Sequence, residues 1–156
     1  MTELFDISAI EVADTFDVVL EHPKTKEPIL VGGTEVTNED GETTNVGGVP
    51  MSVTVYGPGS KQFKAAKSAQ SNRNMKRARA SGGRVETTAD EEAADAAAFL
   101  STITVSLNNF TYKGLPTDAR DTFRALYLDR KMGWITDQVN NQAGDWGRFT
   151  KAAQSS

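Results

Sequence analysis

At Gly57-Pro58-Gly59-Ser60 the chain changes character within four residues, and any fold it adopts has to accommodate that break. Upstream, Met51-Ser52-Val53-Thr54-Val55-Tyr56 is rich in β-branched residues and sets Met51, Val53 and Val55 on one face, as in a half-buried strand. Downstream, Lys61 to Ala80 is built mainly from Ala, Lys, Arg, Gln and Met, good helix formers, with Ser60 placed to cap the first turn. A proline between two glycines continues neither element, so a strand should end and a helix begin here. The charge reverses at the same point. Residues 1–60 hold eleven acids and two bases, net −9; residues 61–84 hold eight bases and no acid, net +8; the remainder is net −3. The overall −4 of the 156-residue chain hides this partition.

Ahead of the break the sequence reads as strands and turns. Phe16, Val18 and Leu20 alternate with Asp17, Val19 and Glu21, and His22-Pro23 to Pro28 supplies a turn before Ile29-Leu30-Val31, which predicts a β-hairpin. From Gly32 to Gly48 the chain is rich in Gly, Thr, Asn and acids without apolar periodicity, which predicts a flexible loop with at most a short irregular strand near Val36.

Beyond the break the chain is helical. The first helix has a thin apolar face of Phe63, Ala66, Gln70, Met75 and Ala78, so it should pack lightly or project, until Ser81-Gly82-Gly83 stops it. Thr88 and Glu91 match a capping box, and Asp90, Glu91 and Glu92 suit the positive end of a helix dipole. Ala93, Ala97, Leu100, Ile103 or Thr104, and Leu107 extend that helix over about 89–107. Asn108 to Pro116 breaks the pattern, and Thr117-Asp118 should cap a shorter helix burying Phe123, Leu126 and Tyr127. After Gly133, the residues Trp134, Ile135, Val139, Gln142 or Ala143, Trp146 and Phe149 recur at helical spacing, with both tryptophans expected in the core. The fold class expected is α+β, with an N-terminal β-hairpin or small antiparallel sheet followed by a bundle of about four α-helices. The organisation is a β-rich leader over 1–59 with its loop at 32–48, an α-helical part over 60–150 and a frayed tail at 151–156. The leader and helices should form one unit, since each alone is small for an independent core.

Few residues invite chemistry. The chain has no cysteine and one histidine, which excludes disulfide scaffolds, thiolate catalysis and multi-His metal sites. His22 sits in a predicted surface turn. Gly57-Pro58-Gly59-Ser60-Lys61 lacks the spacing of a phosphate-binding loop, and the acids at 90, 91, 92 and 95 are explained by a helix start. No catalytic, cofactor or metal site is therefore expected. No run approaches a membrane span and the first residues lack a basic leader, so a cytosolic protein is expected.

The basic block is the candidate binding surface: Lys61, Lys64, Lys67, Arg73, Lys76, Arg77 and Arg79. One account is a solvated helix whose bases pair with acids of this chain or a neighbouring subunit. A second is a docking helix for an acidic or helical protein. A third, a nucleic-acid-binding module using helix 61–79, is disfavoured because only Phe63 interleaves the bases and the rest of the chain is acidic.

The order of motifs resembles the tail assembly chaperones of long-tailed bacteriophages. Val53 to Ser60 leads into the basic helix through Lys61-Gln62-Phe63 to Arg79. The acidic start from Thr88 to Asp95, the helix Ala96 to Leu107, the connection Gly114 to Thr117, the helix around Ala125 to Leu128 and the segment Trp134 to Val139 closing on Arg148-Phe149 follow in the same order. The likeness covers residues 50–150, and more loosely His22-Pro23 to Ile29. It departs where relatives often carry Gly-Trp and Ser106-Leu107-Asn108-Asn109 stands here. The resemblance implies a non-enzymatic factor that binds the tape-measure protein, assists assembly of tail-tube subunits in the host cytoplasm and is absent from the mature virion. It leaves open self-association, and a virion structural protein of the tail or neck is the alternative.

Overall fold

The computed structural model describes residues 4–83 and 88–150. Three strands form the central antiparallel sheet: β1 (Thr15–Val19), β6 (Ser52–Tyr56) and β7 (Thr104–Asn108), with β6 in the middle. Val18 faces Val53 and Phe16 faces Val55 across one ladder, and Val53 faces Leu107 across the other. Thr54 pairs with Ser106 but Val55 with Thr104, so the ladder skips Val105 in a bulge. The α+β class expected from the sequence is the one observed.

Between β1 and β6 the chain runs out and back as a two-stranded arm. At its base β2 (Leu30–Val31) pairs with β5 (Val49–Pro50), and beyond it β3 (Thr34–Thr37) pairs with β4 (Thr43–Val46). This refines one expectation and corrects another. The chain does reverse over 22–27, with an Ile29 N–H to Leu20 carbonyl bond of 3.0 Å, but the sheet partner of β1 is β6 and Leu30–Val31 belongs to the arm. The segment 32–48, expected as a loop, holds a regular hairpin. All of β3 and most of β4 are exposed on both faces, so no polar–apolar alternation marks them; backbone pairing and β-branched residues carry the ladder instead.

Helix α1 (Lys61–Ala80) begins and ends where the sequence places it. Ser60 is buried, its Oγ accepting from the Phe63 N–H at 3.1 Å and donating to the Gly57 carbonyl at 2.7 Å. Helix α2 (Ala89–Ile103) starts at the Thr88 cap, where Oγ1 accepts from the Glu91 N–H. It does not reach residue 107. After Ile103 the backbone turns extended and becomes β7, because Thr102-Ile103-Thr104-Val105 is a β-branched run and the edge of β6 offers it a full ladder. Thr104 secures the switch, its Oγ1 lying 2.6 Å from the Leu100 carbonyl and 2.7 Å from the buried Tyr127 hydroxyl. One strand of the central sheet thus comes from the stretch expected to be helical.

Helix α3 (Arg120–Leu128) buries Phe123, Leu126 and Tyr127 as expected. Its N-cap is Ala119, without a side-chain bond, rather than Thr117-Asp118; the Thr117 carbonyl instead accepts from Leu107 at the outer edge of β7. Helix α4 (Gly133–Ala143) and the short α5 (Trp146–Phe149) follow. Val18, Leu20, Val53, Val55 and Leu107 of the sheet layer form one core cluster with Leu100, Ile103, Phe123, Leu126, Ile135, Val139 and Phe149. Phe149 is buried, but Trp146 is 54% exposed and Trp134 half-buried, so the tryptophans contribute less to the core than their spacing suggests. The helix ends at Gly144-Asp145, where Asp145 caps α5, and this break in the helix takes Trp146 off the buried face of α4. The expected tail at 151–156 lies outside the described residues.

Candidate partner-binding surface

Seven basic side chains were candidates, and the fold divides them. Arg73 and Arg77 point inward, toward α2. Both ends of the Arg77 guanidinium meet Asp95, with Nη2 2.7 Å from Oδ1 and Nη1 against Oδ2, while Nε lies 3.4 Å from the Glu91 carboxylate. Arg73 Nε is 3.3 Å from Asp95 Oδ1, an ion pair by distance whose angle falls short of a hydrogen bond. The hydrogen bond from Arg77 holds the Asp95 carboxyl below its ordinary pKa, and Asp95 in turn raises that of Arg77. The Asp95 side chain is 13% exposed, so the pair is only partly screened by water.

These contacts account for the thin apolar face of α1. Near its start Phe63 packs edge-on against Phe99, ring centroids 5.3 Å apart, and Lys67 Nζ sits 5.0 Å from the Phe99 centroid. Farther along, charge replaces burial: the arginine–carboxylate clasp holds α1 to α2 where no large apolar side chain is available.

Lys61, Lys64, Lys76 and Arg79 remain. At about 100° per residue they fall on the side of α1 opposite Phe63 and Ala66. All four are exposed and none forms an ion pair among the described residues. Between them lie Ala65, Ser68 and Asn72, with Met75 52% exposed. The outer face of α1 is therefore cationic at both ends and small in the middle. Arg84, the last base of the block, lies outside the described residues.

No family model, curated protein or solved structure matches the chain.

The acids of the leader form a second surface. Glu39, Asp40 and Glu42 stand at the tip of the arm and Glu35 on β3, all exposed and without an ion pair among the described residues. The tip is built rather than loose: Asn38 Oδ1 accepts from the Asp40 and Glu42 backbone N–H groups at 3.0 and 2.9 Å, and Gly41 takes φ +80. The one sequence signal for this surface is Asp40-Gly41 between two β-branched stretches, a hairpin turn pair. The arm is cornered by Gly32-Gly33 on one strand and Gly47-Gly48 on the other. Asn45 stitches that corner, donating to the Gly32 carbonyl and accepting from the Gly48 N–H, both at 3.0 Å.

Other places offer less. A cleft of about 330 Å³ among α1, α2 and α4 is lined by Gln70, Asn74, Glu92, Asp95, Phe99 and Asn140, and its Asp95 carboxylate is already committed to arginine. His22 lies in the exposed turn expected for it, its Nδ1 accepting from the Lys24 N–H at 3.1 Å. Tyr112 donates to Asp129 at 2.7 Å, which raises the tyrosine pKa and lowers that of the carboxyl. Among the described residues no group of acids and histidine is placed to hold a metal, and no helix is long and apolar enough to cross a membrane.

Proposed function

We propose that the protein is a non-enzymatic assembly factor that holds a helical, acidic partner against the outer face of α1. Its resemblance to phage tail assembly chaperones makes the tape-measure protein the expected client, with assembly of tail-tube subunits as the outcome, in the host cytoplasm and before the virion is complete. The observation that carries this reading is the division of the basic block: Arg73 and Arg77 are used internally, whereas Lys61, Lys64, Lys76 and Arg79 face solvent together without ion pairs among the described residues. Helix-on-helix docking suits a surface with small side chains between flanking cations, and the charge would set orientation and encounter rate more than affinity.

The test is co-purification of the tape-measure protein with this chain. Replacing Lys61, Lys64, Lys76 and Arg79 with Glu should abolish capture, and unchanged capture would sink the assignment. Arg73 and Arg77 must stay, because reversing either breaks the clasp to Asp95 and confounds binding with folding. Nucleic acid is the competing ligand for the same cations; duplex binding with a steep salt dependence would favour it. A second reading, a structural protein of the tail or neck, is favoured by the exposed arm, whose paired strands could add to a neighbour's sheet in a ring. Detection of the protein by mass spectrometry in purified particles would decide for that reading.

A further inference from the structure

We propose that the β3–β4 arm and the outer face of α1 are the two halves of one contact, so that the arm of one copy of this chain docks on α1 of the next. The arm carries Glu35, Glu39, Asp40 and Glu42, and the helix face carries Lys61, Lys64, Lys76 and Arg79. All eight are exposed, and no ion pair joins the two sets within the chain among the described residues. The match extends to shape. Thr34, Val36, Thr44 and Val46 share one face of the arm, with Val36 and Val46 47% and 59% exposed. The centre of the helix face offers Ala65, Ser68 and Asn72, small enough for close approach, and the exposed Met75. β3 from Thr34 to Thr37 spans about 10 Å at roughly 3.4 Å per residue, with Glu39, Asp40 and Glu42 beyond it in the turn. Lys64 and Lys76 lie about 18 Å apart along the helix at about 1.5 Å per residue. An arm laid valine face down along α1 covers the small-residue centre and brings the tip acids Glu39, Asp40 and Glu42 to one cationic end, while Glu35 stands on the opposite face of β3.

A second copy is the occupant because the complementarity resides in this chain alone, as the −9 and +8 segments already show. The glycine corner at 32–33 and 47–48, held by Asn45, aims the arm as a unit, as an element that reaches a neighbour requires. If two copies exchange arms the product is a closed dimer; if the contact runs one way it propagates into a ring or filament. Exposed pairs are individually weak and screened by salt, so association should depend on concentration and ionic strength.

The arm and a client would compete for the same face of α1, and the contact does not rest on the client reading, since it is tested on the purified chain alone. Sedimentation velocity of the full chain at low salt should show higher-order species that dissociate on dilution or at high salt. One variant reverses the arm (Glu35, Glu39, Asp40 and Glu42→Lys), another reverses the helix (Lys61, Lys64, Lys76 and Arg79→Glu), and each alone should lose those species. An equimolar mixture of the two should regain them, because each variant then meets its complement. Matching thermal melts of the variants and the wild type show that the fold is kept. A wild-type chain that stays monomeric into the millimolar range at low salt, assembly that survives either reversal, or a mixture that fails to assemble overturns the proposal.

Discussion

Arg77 on α1 grips Asp95 on α2 with both ends of its guanidinium, Nη2 lying 2.7 Å from Oδ1, and Arg73 joins the same carboxylate from one turn earlier. This clasp fastens the far half of α1, where the helix has little apolar surface to bury. Because the Asp95 pKa is lowered in the folded protein, its contribution to stability is complete above the unfolded-state value of 3.8 and is lost as pH falls from there through the lower folded-state value. Unfolding in denaturant at a series of pH values should show that loss in the wild type, and Asp95→Asn should flatten this part of the profile. Amide exchange should also quicken in residues 73–80 of the variant, while α3 and α4 are unaffected.

Gly57 is required for a steric reason. A Cβ at that position would lie 2.6 Å from Cγ and 2.8 Å from Cε1 of the buried Phe149 ring. Gly57→Ala should destabilise the protein by about 1–3 kcal/mol, as overpacking does. Pairing it with Phe149→Leu should recover part of that loss, and a double-mutant cycle of thermal melts measures the coupling. Simple additivity would show that the two positions do not press on one another.

The passage from α2 into β7 depends on Thr104 and Tyr127. Burial raises the pKa of the Tyr127 hydroxyl, which stays protonated and bonded to Thr104. Tyr127→Phe should cost about 0.5–1.5 kcal/mol, the usual net value of one such hydrogen bond. The Thr104 hydroxyl keeps its bond to the Leu100 carbonyl, so the loss should stay within that range in equilibrium unfolding.

Asn45 should matter locally. Asn45→Ala removes both bonds that stitch the glycine corner. Amide exchange over residues 34–46 should accelerate, while the global melting temperature stays almost unchanged, because the arm adds no residue to the buried core. A large drop in melting temperature would show that the arm supports the core after all.

Leu100 is fully buried between the sheet and the helices. Leu100→Ala should destabilise by about 2–5 kcal/mol in chemical denaturation, the range for a cavity at such a site.

Much of the helical layout was legible in the sequence because its signals are local. Ser60 and Thr88 cap helices through bonds to residues three positions ahead, and both of those bonds form as read, while the Glu91 carboxylate of the expected capping box lies against Arg77. The arm escaped because Thr34 to Thr37 and Thr43 to Val46 bury neither face and so show no period. The switch at Thr104 escaped because Ala97, Leu100, Ile103 and Leu107 keep a helical spacing through it; the β-branched run 102–105 was the contrary signal. Of the candidate surface, the positions of all seven cations on one helix were legible, but their roles were not.

The sequence by itself determined where the strand–helix break falls, where α1 and α2 begin, and that the charge is parted into acidic, basic and mildly acidic blocks. Propensity, capping and composition act within a few residues, so they can be read without a fold. Only the tertiary structure decided that residues 104–108 leave the helix to complete a sheet with β6, and that Arg73 and Arg77 turn inward while Lys61, Lys64, Lys76 and Arg79 turn out. Those outcomes depend on partners distant in the chain, the free edge of a strand some fifty residues earlier and a carboxylate eighteen residues on from Arg77. A strand needs a neighbour to satisfy its backbone, and a buried cation needs an anion beside it.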